Sequence, residues 1–412
     1  MTADITRLFR DPEKQYHGLV HQQGRLPIDA EENHGADIAQ WTDERRFVET
    51  IAPSGSPDDG FRISLAGAGT PVNFHIAAGS YYLGGSRVEN AAPLDYRDQR
   101  NLNWLGFALD AEGANEAIGD ARKFFVWLDA REALVTATED SELLEPGLGG
   151  ADGAARKRFA WRVRATPVAG PGCIDGAAQW LAARGWTGLV DPATGQLASG
   201  ARLTVAFNPA HVDQDLCAPS LTPGFLGARN ECFRVMVTRA GRYVWGQDDA
   251  APLYRVRIEN DSGGQKRRIV FIDLPRDEYA RPRAGHTVEL LRWDQLLPNR
   301  QKTAEAMGKF FTVSSGYVDD AVQVSAAVDA DWIAWLNGAP ASLLAPQEDP
   351  QHYFYLRLWS GGGQGAQPDI AFASADLTGT GLTVAFSVGR CRAMLGRSPP
   401  VPMPPPRSCP GR

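Results

Sequence analysis

Three sets of side chains in this sequence have types and spacings that could do chemistry. The first are neighbouring acids: Asp58-Asp59, Asp248-Asp249 and Asp319-Asp320. A glycosidase needs two carboxylates facing one bond, about 5 to 9.5 Å apart. Adjacent residues of a strand point to opposite faces, so no such pair can close on one bond by itself. They read as turn and strand-end acids. The second set is His17 and His21, whose spacing of four puts both on one face of a strand. A metal would want a third ligand, and the sequence offers none beside them. The third is the cysteines, Cys173, Cys217, Cys232, Cys391 and Cys409. They form no CxxC pair, and an odd count favours free thiols. Cys232, between Glu231 and Phe233, reads as a small core residue, and the six-residue step from His211 to Cys217 is too loose for a ligand pair. No GxxxxGK[ST], GxSxG, HExxH or strand-to-helix GxGxxG occurs. The expectation is a non-enzyme without metal or cofactor.

Two stretches suggest binding instead. Trp245 stands next to Asp248 and Asp249, and a tryptophan beside carboxylates can stack on a sugar or anchor a partner. The other reading is a core tryptophan at a strand end, followed by a turn. The opening QYHGLVHQQGRLPIDAEENHGADIAQW (15 to 41) reads as a hairpin over 16–28 running into a helix. Gly24 frees the backbone at the turn. Asp29 is placed to cap the helix, with Glu32 three residues on as a variant capping box. Ile38, Trp41, Val48 and Ile51 follow on one helical stripe. Gly35 weakens the helix by about 1 kcal/mol relative to alanine. A helix from Ala30 to Ala52 would run roughly 34 Å, apolar on one narrow face only.

From residue 60 the period changes to two. Strands are expected around Phe61-Ile63-Leu65, Phe74-Ile76, Phe124-Val126-Leu128, Phe159-Trp161-Val163 and Leu203-Val205-Phe207. More are expected around Tyr254-Val256-Ile258, Val270-Ile272, Val322-Val324, Phe354-Leu356-Leu358 and Leu382-Val384-Phe386. Phe233 to Trp245, turning at Ala240-Gly241, is the clearest hairpin. The stretch GHTVELLRW (285 to 293) reads as a strand of a small β-barrel, and Asp175 to Arg184 as a helix. The 43 glycines and 28 prolines punctuate these runs, as many short antiparallel strands require. The fold class is mainly β, several small antiparallel sandwich or barrel-like modules behind an N-terminal hairpin and long helix. Expected divisions are 1–55 (hairpin and helix), 56–170 (β domain), 171–300 (second β domain with a short helix), 301–390 (C-terminal β module) and 391–412 (disordered tail). Seven of the last fourteen residues are proline, which suits extended chain. A native tail and a reading-frame change both fit this ending.

Composition bounds the partners. With 412 residues, 43% of them apolar and 22% charged, the chain can build two or three cored domains. A net charge of -7 without a basic patch argues against nucleic acid. No run of about 18 apolar residues suggests a membrane span. MTADITRLFRDPEK lacks the apolar centre of a signal peptide, so synthesis in the cytoplasm without a cleaved signal is expected.

The order of segments resembles the DUF6519 domain family of bacterial proteins. Its opening signature, DPxKxYxGVxxQQGRVxLDADWNE, is similar to DPEKQYHGLVHQQGRLPIDAEEN. The shared positions are Asp11, Pro12, Lys14, Tyr16, Gly18, Gln22, Gln23, Gly24, Arg25, Asp29, Ala30 and Asn33. SYYLGGSRVEN (80 to 90) and FFVWLDAREALVTATEDSELLEPGLGGADGAARKRFAWRVRAT (124 to 166) resemble later family segments. GFLGARNECFRVMV and YVWGQDD (224 to 237, 243 to 249) do so too, carrying the likeness to about residue 320. Glu31-Glu32 replaces the family's Asp-Trp, and Gly246-Gln247 departs from its WSRxN-like pattern. A final strand motif is missing.

The resemblance implies a structural role in phage-tail-like particles, including contractile injection systems, associated with baseplate or fibre and released or retained with the particle. Partners would then be further copies of the chain and other tail-particle proteins. The hairpin and helix would be the docking device, with Tyr16, Gln22, Gln23, Gly24, Arg25 and Asp29 as contacts and Arg25 paired to Asp29 or to a neighbouring subunit's carboxylate. Packing of the turn on its own β domain is the intramolecular alternative. A carbohydrate-binding or carbohydrate-active surface protein is the second functional class, with Trp245, Asp248 and Asp249 at the glycan.

Overall fold

The computed structural model describes residues 5, 11–65, 73–99, 123–169, 172–191, 196, 202–212, 233–247, 253–278, 280–336, 353–361, 367–373, 376–377, 380–387 and 401–402. The fold is mainly β, with several antiparallel sheets and one closed six-stranded barrel. Contacts divide the chain into two units. One is built from Leu8–Ala133 and Arg158–Ala198, the other from Leu134–Lys157 and Ser199–Leu395. They are called here the N-terminal and C-terminal units. Among the described residues no helix is long and apolar enough to cross a membrane.

In the N-terminal unit the long strand Lys123–Val135 serves two cores, because alternation gives it two apolar faces. Leu128 and Ala130, with Phe124 and Val126 beside them, join Phe61, Phe74, Ile76, Tyr81, Tyr96 and Val163. Phe125 and Trp127, on the other face, pack against the helix Cys173–Arg184 (called α2 below). Trp180 of that helix lies 5.4 Å from Phe125 and 4.8 Å from Trp127. Close approach explains Gly176 inside the helix: a Cβ there would stand 3.2 Å from Val168 Cγ2. Gln99, 1% exposed, stitches the first core by donating to Tyr96 O and Val163 O and accepting from Val163 N. The expected acid pair at 58–59 is a turn device. Asp58 accepts from Ser56 Oγ, Gly60 N and Ser80 N, bonds that hold its carboxyl below the ordinary value with Ser56 the largest cause. The turn delivers Phe61 to the core at φ +63.

The N-terminal helix, α1, spans Asp29–Thr50. The expected cap is corrected: Ile28 is the N-cap, and no side chain caps the helix. Asp29, Glu31 and Glu32 lie inside the first turn, where acidic charge complements the helix dipole. The C-terminal half packs on its own unit. Phe47 stacks on Tyr82 at 4.0 Å, and Glu44 accepts from Ser86 Oγ at 2.5 Å. Strands Gly79–Leu83 and Ser86–Asn90 turn at Gly84-Gly85, and a Cβ on Gly85 would come within 2.3 Å of Glu44 O. Ile51 of the expected stripe stays 71% exposed.

The barrel of the C-terminal unit runs Leu253–Asn260, Lys266–Phe271, Ala321–Val324, Lys309–Val318, Thr287–Leu291 and Phe354–Trp359, closing on the first strand. The strand expected within GHTVELLRW is thus a barrel strand. Paired positions such as Val288 with Phe311, Ile269 with Val322 and Val256 with Phe354 fill it with apolar side chains. Closure removes the sheet's open edges. On Thr287–Leu291 and Phe354–Trp359 the opposite face is buried as well, and it carries charge. Glu289 and Arg357 face each other across strands, 0% and 2% exposed in their side chains, with Arg357 Nη1 3.2 Å from Glu289 Oε2. Trp359 Nε1 donates to that oxygen at 3.0 Å, and Gly308 N donates to Oε1 at 2.9 Å. Arg292 and Glu305 form a second such pair at 3.1 Å. Burial pushes the Glu305 carboxyl above its ordinary value while Arg292 pulls it down. The Phe233–Arg239 and Arg242–Gln247 hairpin forms as expected, turning at Gly241 with φ +76. Of the proline-rich tail, only Val401–Pro402 is described, paired to Leu128 and Trp127; the rest of that expectation falls outside the described residues.

Removing one half of a buried ion pair leaves a charge without its partner, at about 3–5 kcal/mol. Glu289→Leu should therefore lower stability by that order in urea titrations that follow the C-terminal unit. The Glu289→Leu/Arg357→Met double variant should recover only part of the loss, because Gly308 N and Trp359 Nε1 still lack the acceptor that Glu289 gave them.

Candidate functional site

The first candidate is the segment from Asp11 to Ile28 that leads into α1. Its turn forms as expected: Arg25 N donates to Gln22 O at 3.2 Å, and Gly24 has φ +71. The expected hairpin does not form, because neither flank pairs in a ladder. The flanks are an extended arm that lies back along the helix. Leu19 rests on Gly35, where a Cβ would meet Leu19 Cβ at 3.2 Å. That contact gives the helix-weakening glycine a reason. His21 Nε2 stands 3.0 Å from Glu32 Oε1, and Tyr16 meets His34 edge to face at 6.4 Å.

Most of the arm faces solvent. Gln22, Gln23, Gly24, Arg25 and Asp29 are all exposed, and Arg25 has no ion-pair partner among the described residues. Apolar side chains are exposed too: Val20 and Leu26 at 86% and Tyr16 at 57%. Alternation explains this arrangement. Leu19 points to the helix, so Val20 points away. His17 and His21 bring no third ligand, and no group of three His, Cys, Asp or Glu that could hold a metal exists among the described residues.

The Trp245 cluster belongs to the C-terminal unit. Trp245 is 5% exposed and packs with Tyr243, Leu377 and Val384. Its backbone exchanges two hydrogen bonds with Gly361, at 3.1 and 3.0 Å. The glycine is required, because a Cβ at 361 would fall 1.9 Å from the indole nitrogen. The indole is therefore core, and no stacking face is left for a sugar. Asp248 and Asp249 lie outside the described residues.

A second candidate carries no local signal in the sequence. A cavity of about 510 Å³ opens in the C-terminal unit where the loop 137–144, Arg255, the turn 299–302 and Tyr353 converge. Its walls are tied together. Gln301 Oε1 accepts from Ser141 N at 2.7 Å, and Asn299 Nδ2 donates to Asp140 Oδ1 at 2.9 Å. Glu139, 2% exposed, accepts from Ala304 N at 2.8 Å and Thr136 N at 3.1 Å. Four distant segments build this site, so no spacing rule could have found it.

Residues 1–170 match the model of a family described as a family of unknown function, DUF6519. The likeness expected on the opening signature is supported over that stretch, while the segments at 224–249 lie beyond it. No curated protein and no solved structure matches the chain.

The arm's seat on α1 is thin enough to test. Gly35→Val should push Leu19 off the helix and speed tryptic cleavage after Arg25 several-fold. The melting point should move little, as expected when an exposed segment opens locally. Equal cleavage of parent and variant would contradict the seat described here.

Proposed function

We infer that this chain works by docking: a non-catalytic structural subunit that joins a partner protein through its N-terminal arm and the exposed half of α1. One observation carries the reading. Val20, Leu26 and Tyr16 are exposed on an extended segment whose backbone belongs to no ladder. An apolar patch with a polar rim is the usual form of a protein-binding surface. Here Gln22, Gln23 and Arg25 supply the rim. Covering the aliphatic surface contributes about 25 cal/mol per Å², and the Arg25 fork can take a partner carboxylate in two directed hydrogen bonds.

We assign the partner to a phage-tail-like or contractile injection particle, as a baseplate- or fibre-associated component, with self-association through the same arm. The support for this finer reading is the likeness of DPEKQYHGLVHQQGRLPIDAEEN to the family's opening signature. Oligomers of such parts are symmetric, so one arm seat repeats on every copy.

The Gln23→Ala/Arg25→Ala variant should keep its circular dichroism spectrum and melting point. Its association, read by sedimentation and by pull-down from the native operon, should weaken at least about tenfold, a loss of ~1.4 kcal/mol. Adding Leu26→Asp should abolish it. Unchanged oligomers and intact particles from both variants would defeat the docking role.

A further inference from the structure

Two small sheets of the C-terminal unit share one core. The hairpin of Phe233–Arg239 and Arg242–Gln247 brings Tyr243 and Trp245, and the strand Thr380–Ser387 brings Val384 and Phe386 from the other sheet. The outer strand of that second sheet is Arg202–Val212. In its ladder Leu203 lies opposite Phe386 and Val205 opposite Val384, so both stand on the core-facing side. Yet Val384 is 2% exposed, while Leu203 and Val205 are 46% and 53% exposed. The apolar face runs on past the core that covers it.

The same strand has an open edge. Arg202 N donates to Ser387 Oγ at 3.1 Å, and Ala206 O accepts from Thr383 Oγ1 at 3.4 Å. These residues turn their backbone toward the neighbouring strand. Leu203 and Val205 alternate with them and aim their N–H and C=O groups the other way, where the sheet has no further described strand. Such an edge is a template for another strand, and natural sheets guard it with lysine, proline or a bulge. Residues 202–207 carry none of these.

The N-terminal arm has the matching vacancy. Tyr16 to Gln22 is extended and joins no ladder among the described residues. Leu19 and His21 hold it to α1, so Tyr16, Gly18 and Val20 fall on the alternate face. Charge sets the direction of pairing. With Val20 opposite Leu203 in an antiparallel ladder, Gly18 falls opposite Val205 and Tyr16 opposite Phe207. His21 then falls opposite the exposed Arg202 and brings Glu32, whose Oε1 stands 3.0 Å from His21 Nε2. A parallel ladder would bring Arg202 toward Lys14 instead, a like charge.

We propose that the arm of one copy adds as an antiparallel strand to the Arg202–Phe207 edge of another copy, with Tyr16 and Val20 closing over Leu203 and Val205. The inference rests on the docking role of the arm and supplies its seat. Main-chain bonds to an open edge hold the strand, and the alternate side chains select it. The contact is heterologous, because each copy gives an arm and takes one.

Sedimentation of full-length variants tests this. Val205→Lys puts a charge on the seat and should weaken self-association at least about tenfold, with the melting point held because the side chain is half exposed. Leu203→Thr keeps a strand-forming residue, removes apolar cover and should weaken it several-fold, which checks the seat without the lysine. The arm variant Gln23→Ala/Arg25→Ala/Leu26→Asp loses the donor and keeps the seat. Mixed at a concentration where neither self-associates, it and Val205→Lys should form a 1:1 pair, since the intact arm of one meets the intact edge of the other. A silent mixture, or parent-like association of Val205→Lys and Leu203→Thr, would overturn the seat and leave the docking role of the arm standing. Undiminished association of the arm variant would defeat that role itself, and this inference with it.

Discussion

Glu289, Glu305 and Glu139 are all buried, and each accepts a hydrogen bond from the backbone of one segment, Arg292 to Gly308. Gly308 N goes to Glu289, Arg292 N to Glu305 and Ala304 N to Glu139. This segment leaves the barrel after Leu291, forms its own short hairpin of Trp293–Leu296 with Lys302–Ala304, and re-enters the barrel at Lys309. The bond from Ala304 N is buried and those from Arg292 N and Gly308 N are part-buried, and a buried donor without an acceptor is costly. Glu289 and Glu139 from neighbouring elements, and Glu305 of the segment itself, meet that demand. They are then obliged to be buried, and buried carboxylates need cations; Arg357 and Arg292 stand against Glu289 and Glu305.

Much else in the C-terminal unit follows from that arrangement. Arginines brought into the interior need covers for their flat faces. Arg292 lies over Trp332 and Trp335 at 5.4 and 5.3 Å, and Arg234 over Trp359 at 4.2 Å. Lys302 lies 4.8 Å from the Trp293 ring. Gly308 must be glycine, because a Cβ there would overlap Leu290 O at 1.8 Å. The cavity wall at 299–302 is the tip of the same segment, whose two ends the glutamates hold.

The strands were legible in the sequence because their signal is local. Val288-Leu290 and Phe354-Leu356-Leu358 alternate, and a period of two fixes a strand whatever it pairs with. Alternation does not report how many faces are buried. It therefore gave no sign that Glu289 and Arg357, on the polar face, lie as deep as Val288. The misreadings have the same origin. Gly24 signalled a turn, and the turn exists, but a turn does not prove a ladder when Leu19 finds a helix to rest on. Asp29 carried a capping signal, yet Ile28 occupies the cap. Trp245 could not be sorted between surface and core until Gly361, over a hundred residues away, was seen beneath it. The cavity was beyond reach because its lining comes from four segments far apart in the chain.

The strand Lys123–Val135 needs residues 173–184 to cover Phe125 and Trp127. The stretch that matches the family model stops at 170, before that cover is made. On the ribosome the same order applies: the first 170 residues emerge with a tryptophan-bearing face still bare. They also carry the loop 134–157, whose own unit has not yet been translated. Since domains tend to complete themselves from the N-terminus during synthesis, this chain must wait twice. A fragment cut at the family boundary would inherit the sticky face of a nascent chain, whereas one extended past Trp186 would not.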